Sequence, residues 1–552
     1  MEYTGAEIIL ECLKEQGVDT IFGYPGGAVI PLYDALVSYE EDFFHVLTCH
    51  EQGAVHAADG FARSTGKPGV CFATSGPGAT NTVTGIATAY MDSVPLVVFT
   101  GQVPQSLLGR DSFQEIDITA VTFPITKYNY LVKRVEDLPQ IIREAFDIAT
   151  SGRRGPVLID IPKDIFTTKM DYIMAGVFKH EEKPAMPDKN LLLEAVKAID
   201  ESVRPVIYAG GGVVHGDGEK ELFHLATKAS IPVANTLMAL GAFPMSNPLS
   251  LGLVGMHGHK KTNLAVTKSD LIIAIGARFS DRVIGSKDKF APKAKIIHID
   301  IDSSEIGKNK EVHFPLEGCV KDILKYLTEK VLQKDSRQWL KEIEALEDKN
   351  PYTSEDFTPE NILAAAQKIL GKNTIIVTEV GQHQMWAAQY CKVDDPRRFL
   401  TSGGLGTMGY GLGASMGAQV GNPDKRVLHV AGDGSFRMNC NELATVSKYK
   451  LPITTLLFNN NSLGMVRQWQ GLFQDERYSQ TTLTDDVDYM KLVEAYGLKG
   501  KQAETMEQLE EALKAAAAST DKATIIECKI DKDIGVFPIV PPGMPIDNML
   551  LE

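Results

Sequence analysis

Along the chain, short runs of β-branched and aliphatic residues alternate with stretches in which apolar positions recur every three or four residues. These are the periods of strand and amphipathic helix, and their alternation marks parallel α/β sheets. The expected strands include VCFATS (70–75), PLVVFTG (95–101), PVLIDI (156–161), PVIYAG (205–210) and LIIAIG (271–276). KIIHIDI (295–301), TIIVTE (374–379), RVLHVAG (426–432), ITTLLFNN (453–460) and ATIIECKI (523–530) continue the series. Two polar stretches, 167–190 and 346–361, interrupt the rhythm and read as linkers. The first and third segments share an order of parts. Each opens with a capped helix, at Thr4 with Glu7 and at Thr358 with Pro359, followed by a strand and a Gly-containing turn. Later, VCFATSGPGATNTVTGIATAYMDSVPLVVFTG matches VLHVAGDGSFRMNCNELATVSKYKLPITTLLFNN as strand, Gly-rich turn, helix, proline, strand. The expected fold is α/β: three doubly wound parallel-sheet domains, the first and third of one topology and the middle Rossmann-like. Their bounds are 1–166, 191–345 and 362–535, with a tail over 536–552.

Length supports the division, since 552 residues are too many for one core and suit three domains of roughly 150–200. A formal charge of −15 without a Lys/Arg cluster argues against a nucleic acid or an anionic membrane as partner and favours small molecules or proteins. Seven scattered cysteines with no C-x-x-C pair read as reduced thiols of a cytoplasmic protein without a metal cage. The start, MEYTGAEIILECLKEQG, reads as an acidic amphipathic helix and not a signal peptide, and no apolar run approaches the ~20 residues of a membrane span.

The chemistry concentrates in VAGDGSFRMNCNELATVSKYKLPITTLLFNNNSLG (430–464). A Gly-rich turn between a parallel strand and a helix offers free backbone N–H groups to phosphate. Asp433 would repel phosphate by itself. A divalent cation resolves the conflict, and Mg²⁺ prefers carboxylate, amide and carbonyl oxygens beside phosphate. Asn460 at the end of the next strand supplies a second oxygen and the Ser462 carbonyl a third. Either element alone is as readily an ordinary turn; paired at these positions they resemble the GDG…NN metal–diphosphate motif of thiamine-diphosphate (ThDP) enzymes. Such a site needs a carboxylate from the twin domain, and HEQGAVHAADGFARSTG offers Glu51 at a strand end. A zinc-protease reading of that segment fails because H-E-x-x-H requires His where Ala54 stands. Two Gly-rich loops, YAGGGVVHGDG (208–218) and GLGTMG (404–409), also match dinucleotide patterns, but the second is better explained as the ThDP pyrimidine loop.

Nearly the whole chain resembles the catalytic large subunits of the acetolactate synthase (acetohydroxyacid synthase) family. The resembling stretches include FGYPGGAVIPLYDAL, TSGPGATN, SFQE, GPVLIDIPKD, GARFSDRV, VGQHQMWAAQ, GGLGTMGYGLGASMGA and NNNSLGMVRQWQ, with RFSDRV, MVRQWQ and the tail VPPGMPIDNML pointing to this branch. The resemblance implies that Glu51 hydrogen-bonds N1′ of the cofactor pyrimidine, an apolar surround raising its pKa and so assisting proton transfer. It places Met408 as the wedge that bends the cofactor and the Gly406 carbonyl on its amino group. Val380, Gln382, His383, Gly432, Gly434 and Ser435 would cradle the diphosphate. Tyr24, Pro25, Pro77 and Asn81 would lie at the pyrimidine from another chain, so that a homodimer is the minimum active unit. Pyruvate would lose CO₂ and its two-carbon unit would join a second 2-keto acid, whose carboxylate Arg282 receives while Phe113, Gln114, Lys163, Met256, Met465 and Trp469 line the pocket. The middle domain would bind FAD, without net redox work, near Arg153, Gly210, Gly211, Gly212, Thr236, Leu237, Met238, Met256, His257, Gly276, Ala277, Arg278, Arg282, Val283 and Asp300. A small regulatory subunit is a further expected partner. Rival readings are a flavin-free, fermentation-type acetolactate synthase, a FAD- and ThDP-dependent pyruvate oxidase, and a non-catalytic scaffold; the last expects one of Glu51, Asp433 or Asn460 to be missing, and all are present.

Overall fold

The computed structural model describes residues 2–173, 186–346, 355–483 and 487–552. Three six-stranded sheets organise it, all parallel. Counted within each sheet, the strand order is 2-1-3-4-6-5 in the first and third and 3-2-1-4-5-6 in the middle. One topology is therefore used twice, around a sheet with the order of a Rossmann fold.

The ten strands expected from the β-branched runs all form, with ends within two residues of the expected ones. The sequence pattern did not single out the shorter strands beside them, such as Tyr128–Leu131, Phe399–Leu400 and Lys499–Ala503, which lie at sheet edges. An edge strand is covered on fewer sides, so KGKQA keeps its lysines exposed and carries no apolar run.

Both expected linkers are partly structured. In 167–190, Lys169–Asp171 pairs antiparallel with Glu2–Thr4, and Tyr172 is buried beside Glu15 and Arg143. Asp188 caps the helix Lys189–Glu201, its side chain accepting from Asn190 and Leu191 amides. Ladder and cap bonds thus reach into a stretch read as polar; 174–185 and, in the second linker, 347–354 lie outside the described residues.

The first and third units meet through the helices Glu51–Thr65 and Gly411–Gly421, whose closest approaches are made at Gly and Ala positions. A Cβ on Gly417 would stand 1.7 Å from the Ala57 carbonyl oxygen, and one on Gly60 2.1 Å from that of Ala414, so the backbones touch. Beside this seam Arg63, buried, pairs with Asp59 at 2.6 Å and Asp92 at 2.9 Å, and donates to the Thr401 carbonyl at 3.0 Å. Among the described residues no helix is long and apolar enough to cross a membrane.

Candidate active site

Glu51 opens the helix Glu51–Thr65, preceded by His50, whose ring accepts from the Gln52 amide. Its carboxylate is buried and accepts from Asn81 Nδ2 at 2.9 Å. Asn81 ends the short helix Pro77–Asn81, and Gly78 lets that helix approach Glu51, since a Cβ there would stand 3.1 Å from Glu51 Oε1. Gln114 packs over Gly76, with its Cβ 2.8 Å from where a Gly76 Cβ would be. Glu115 fixes the loop beneath by accepting from the Ser112 amide at 2.8 Å and the Gly109 amide. Phe113 is thereby held 88% exposed, and Tyr24, Pro25 and Pro77 are exposed around the same face. Lys163, half-buried, begins the helix that follows the strand Pro156–Pro162.

The metal and diphosphate candidates gather at the carboxyl ends of the third sheet. Gly432 ends its strand in register with Phe458, so Asp433 and Asn460 emerge from neighbouring strands. Asp433 is buried; its Oδ1 accepts from the Gly434 amide at 2.9 Å, and its Oδ2 has no partner. Burial pushes this carboxyl up to about 6. A cation removes that penalty, and the donors at hand are all oxygens: the carboxylate, the Asn460 amide and the Ser462 carbonyl. That set suits Mg²⁺, and among the described residues no group of three or more His, Cys, Asp or Glu could hold a metal ion. Gln382 and His383 start the helix Gln382–Tyr390. Burial lowers the His383 imidazole to about 4, and its Nε2 is unpartnered. Gly432 leaves space for it, as a Cβ there would stand 2.6 Å from His383 Nδ1. Half-buried Val380 precedes this helix, and Gly434 and Ser435 form the first turn after Asp433. An orphaned carboxylate oxygen, an orphaned imidazole nitrogen and two helix N-termini together fit a metal–diphosphate group.

Gly406, at φ +70°, lies in an exposed loop that leads to half-buried Met408. Two acids unflagged as site residues in the sequence hold these parts. Glu379 accepts from the Gly409 amide at 2.8 Å, Ser435 Oγ at 2.7 Å and the Leu412 amide at 3.1 Å, which ties the Met408 loop to the Asp433 turn. Burial works against its ionisation, but the groups around it, His429 and Ser435 foremost, hold it below the usual carboxylate value. Glu442 accepts from the Cys49 amide at 3.1 Å, the His50 amide at 3.0 Å and Thr445 Oγ1 at 2.6 Å, which ties the same unit to the start of the Glu51 helix.

On the acceptor side the Arg282 guanidinium lies 5.6 Å from the centre of the Trp469 ring, and its Nη1 approaches Met256 Sδ at 3.7 Å. Met465 precedes Trp469 by one turn on the helix Gly464–Phe473. Among the described residues, no hydrogen bond or ring contact joins this group to Glu51, Phe113 or Gln114. The site candidates thus collect in two groups, one around Glu51 and one around Asp433 and Arg282, each a candidate half-site.

The residues expected to hold FAD collect along the carboxyl edge of the middle sheet, at the point where the strand order reverses. Gly210, Gly211 and Gly212 follow the strand Pro205–Ala209, and Gly276, Ala277 and Arg278 follow Leu271–Ile275. These loops cross in contact: a Cβ on Gly212 would stand 2.6 Å from the Gly276 Cα. Thr236, Leu237 and Met238 follow Val233–Asn235, Met256 and His257 follow Ser250–Leu253, and Asp300 ends the strand Lys295–Asp300, burial pushing its carboxyl up to about 6. Val283 lies on the short helix Asp281–Ile284 with Arg282. Asn235, unflagged in the sequence, has both side-chain polar atoms buried without partners, as does Nδ1 of His257. Such orphans at a switch point fit a polar cofactor. Arg153 instead bridges to Asp302 at 3.2 Å and Glu305 at 2.8 Å.

Family models of thiamine pyrophosphate enzymes match all three units: the N-terminal TPP binding domain over residues 3–121, the central domain over 192–327 and the C-terminal TPP binding domain over 379–528. The chain is 46% identical over 564 residues to a probable acetolactate synthase large subunit of Methanocaldococcus jannaschii, covering 99% of this chain and 95% of that one. It is 43% identical over 566 residues to the acetolactate synthase isozyme 1 large subunit of Escherichia coli, covering 100% and 98%. For the acetolactate synthase large subunit of Corynebacterium glutamicum the identity is 45% over 556 residues, covering 98% and 89%.

Proposed function

Because the chain belongs to the family of acetolactate synthase large subunits, we propose that its two half-sites bind ThDP and carry out the carboligation of two 2-keto acids. Pyruvate loses CO₂ and its two-carbon unit is joined to pyruvate, giving 2-acetolactate, or to 2-ketobutyrate, giving 2-aceto-2-hydroxybutyrate, in branched-chain amino-acid biosynthesis. ThDP, when bound, supplies a thiazolium carbon that stabilises the negative charge left by decarboxylation.

The residues then divide the labour. Glu51, oriented by Asn81, exchanges a proton with the pyrimidine N1′. Gly406 and Met408 hold the pyrimidine from the third unit. Asp433, Asn460 and the Ser462 carbonyl bind Mg²⁺, while Gln382, His383, Gly432, Gly434 and Ser435 hold the diphosphate. Arg282 receives the acceptor carboxylate, with Trp469 as its wall, and Phe113, Gln114 and Lys163 close the pocket from the Glu51 side. Residues 1–166 are the pyrimidine unit, 362–535 the diphosphate unit and 191–345 a unit for FAD, which does no net redox work; the tail 536–552 covers the acceptor side. The exposed Phe113–Pro77–Tyr24 face supports a site completed by a second copy, in a homodimer or homotetramer. That the relatives are large subunits supports a small regulatory partner, and seven free cysteines support a reducing, cytoplasmic setting.

The observation that carries this reading is the buried, unpartnered Asp433 Oδ2 beside Asn460 and the unpartnered Nε2 of His383. The test is an assay of the purified chain with pyruvate, Mg²⁺ and ThDP, with and without added FAD, measuring acetolactate and acetaldehyde separately. Acetolactate is expected as the main product, dependent on FAD and falling roughly 10²–10⁴-fold in Glu51→Gln. Acetaldehyde or peroxide as main product overturns the carboligase reading. Acetolactate formed equally well by flavin-free protein overturns the FAD site alone.

A further inference from the structure

The segment that leaves the third sheet toward the C-terminus is held in an unusual way. Four successive carbonyls each accept from a side chain: Ile534 from Gln382 Nε2 at 3.0 Å, Gly535 from Trp386 Nε1 at 3.4 Å, Val536 from Gln468 Nε2 at 3.0 Å and Phe537 from Gln389 Nε2 at 3.2 Å. Three of the donors, at 382, 386 and 389, follow one stripe of the helix whose first residue is a diphosphate candidate. The fourth, Gln468, belongs to the acceptor-side helix.

Gln468 is the junction of this arrangement. Its Oε1 accepts from the Val536 amide at 2.9 Å and from Gln382 Nε2 at 3.0 Å, and Gln382 Oε1 accepts from Asn460 Nδ2 at 3.3 Å. Its neighbour Arg467 pairs with Asp533 at 2.8 Å, a second tie to the same segment. Its other neighbour is Trp469, the ring under the Arg282 guanidinium. Beyond Phe537 the segment reaches Val540, whose amide donates to the Met256 carbonyl at 2.8 Å, and the Met256 amide donates to the Arg282 carbonyl at 2.8 Å. Both halves of the acceptor clamp therefore lead back to one amide group: Trp469 through the helix, Arg282 through residues 536–540 and Met256.

We propose that Gln468 is a positioning residue for carboligation, holding Trp469 and Arg282 at a fixed distance from the metal–diphosphate end through Gln382 and Val536. The proposal rests on the carboligase reading above. Gln468 touches neither substrate in this account; it sets where the second 2-keto acid sits, and so affects the second half of the reaction more than the first. A primary amide suits the role because it donates to the Val536 carbonyl and accepts from the Val536 amide at once, a two-bond clamp that neither Leu nor Glu reproduces.

The test compares the wild-type chain with Gln468→Leu and Gln468→Glu. Four quantities are read: the ratio of acetolactate to acetaldehyde, the KM for the acceptor keto acid, the rate of pyruvate decarboxylation, and hydrogen exchange at the Val536 amide in cofactor-free protein. For Gln468→Leu, the product ratio is expected to fall about tenfold and the acceptor KM to rise about tenfold, while decarboxylation changes less than about twofold, because misplacing one reactant costs only the step that uses it. Gln468→Glu keeps an acceptor for the Val536 amide and is expected to fall between Leu and wild type in both exchange and product ratio. A folded Gln468→Leu with faster Val536 exchange but an unchanged product ratio and KM overturns the proposal, since the amide would then serve structure alone. Equal loss of decarboxylation and ligation overturns it as well. If the Leu variant does not fold, the Glu variant decides by the same ratio. Wild-type protein that makes no acetolactate refutes the carboligase reading itself, a result separable from any shift among the variants.

Discussion

A carboxylate taken out of water needs donors, a cation or a proton, and three buried acids of this chain differ in which they find. Glu442 finds donors: two backbone amides and a hydroxyl. Asp433 keeps one oxygen without a protein donor, the position proposed for Mg²⁺. Asp160 accepts from Thr100 Oγ1 at 2.7 Å and Gln102 Nε2 at 2.9 Å, which offset only part of its burial, and its carboxyl is pushed up to about 7. Its folded value lies above its unfolded one, so between about pH 4 and 7 the unfolded chain gives up this proton while the folded chain keeps it. Stability from this group is therefore present at low pH and lost as pH rises toward 7, by up to about 4 kcal/mol. Asp160→Asn is expected to match wild type in denaturant midpoint near pH 3 and to exceed it near pH 8; an equal difference at both pH values would contradict this. Glu51 and Asp433 were legible in the sequence because each stands in a short motif with its own turn chemistry. Glu442, Asn235 and Gln468 were not. Glu442 meets the Cys49 and His50 amides 393 and 392 positions away, and no local pattern records such a partner.

At the scale of elements, the seam between Glu51–Thr65 and Gly411–Gly421 decides where Glu51 points. Two helices in backbone contact cannot admit a side chain without separating. Gly417→Leu is expected to cost about 3 kcal/mol or more in denaturant unfolding and to remove most activity, because the displaced helix carries Glu51. Near wild-type activity in that variant would show that the seam does not position the acid. Ten of the twelve strands inside the three sheets were readable as β-branched runs because helices cover them on both faces, while the short inner strands Thr20–Gly23 and Val233–Asn235 were not. The edges were not, and neither was Lys169–Asp171, whose place is set by a partner at the other end of the first unit, Glu2–Thr4. The Gly and Ala spacing of the two seam helices was visible, but that they face each other was not.

At the scale of the molecule, the repeated 2-1-3-4-6-5 topology gives the chain two units that each present half of a cofactor site. The repeat was legible because both units carry the same order of strand, Gly-rich turn, helix, proline and strand. A site shared between chains was implied only through the family resemblance, and the reading proposed here assigns Glu51 with the exposed Phe113 face to one copy and Asp433 with Arg282 and Trp469 to the other. In the reading proposed here, Glu51 of one copy works with Asp433 of another. Mixing Glu51→Gln with Asp433→Ala under conditions that exchange subunits tests it most directly. Each variant alone is expected to be nearly inactive, and the equal mixture to recover about a quarter of wild-type acetolactate synthesis, because half of the dimers then contain one intact site of two. No recovery, with mixed dimers shown to form, would place both residues in a single-chain site and contradict the account.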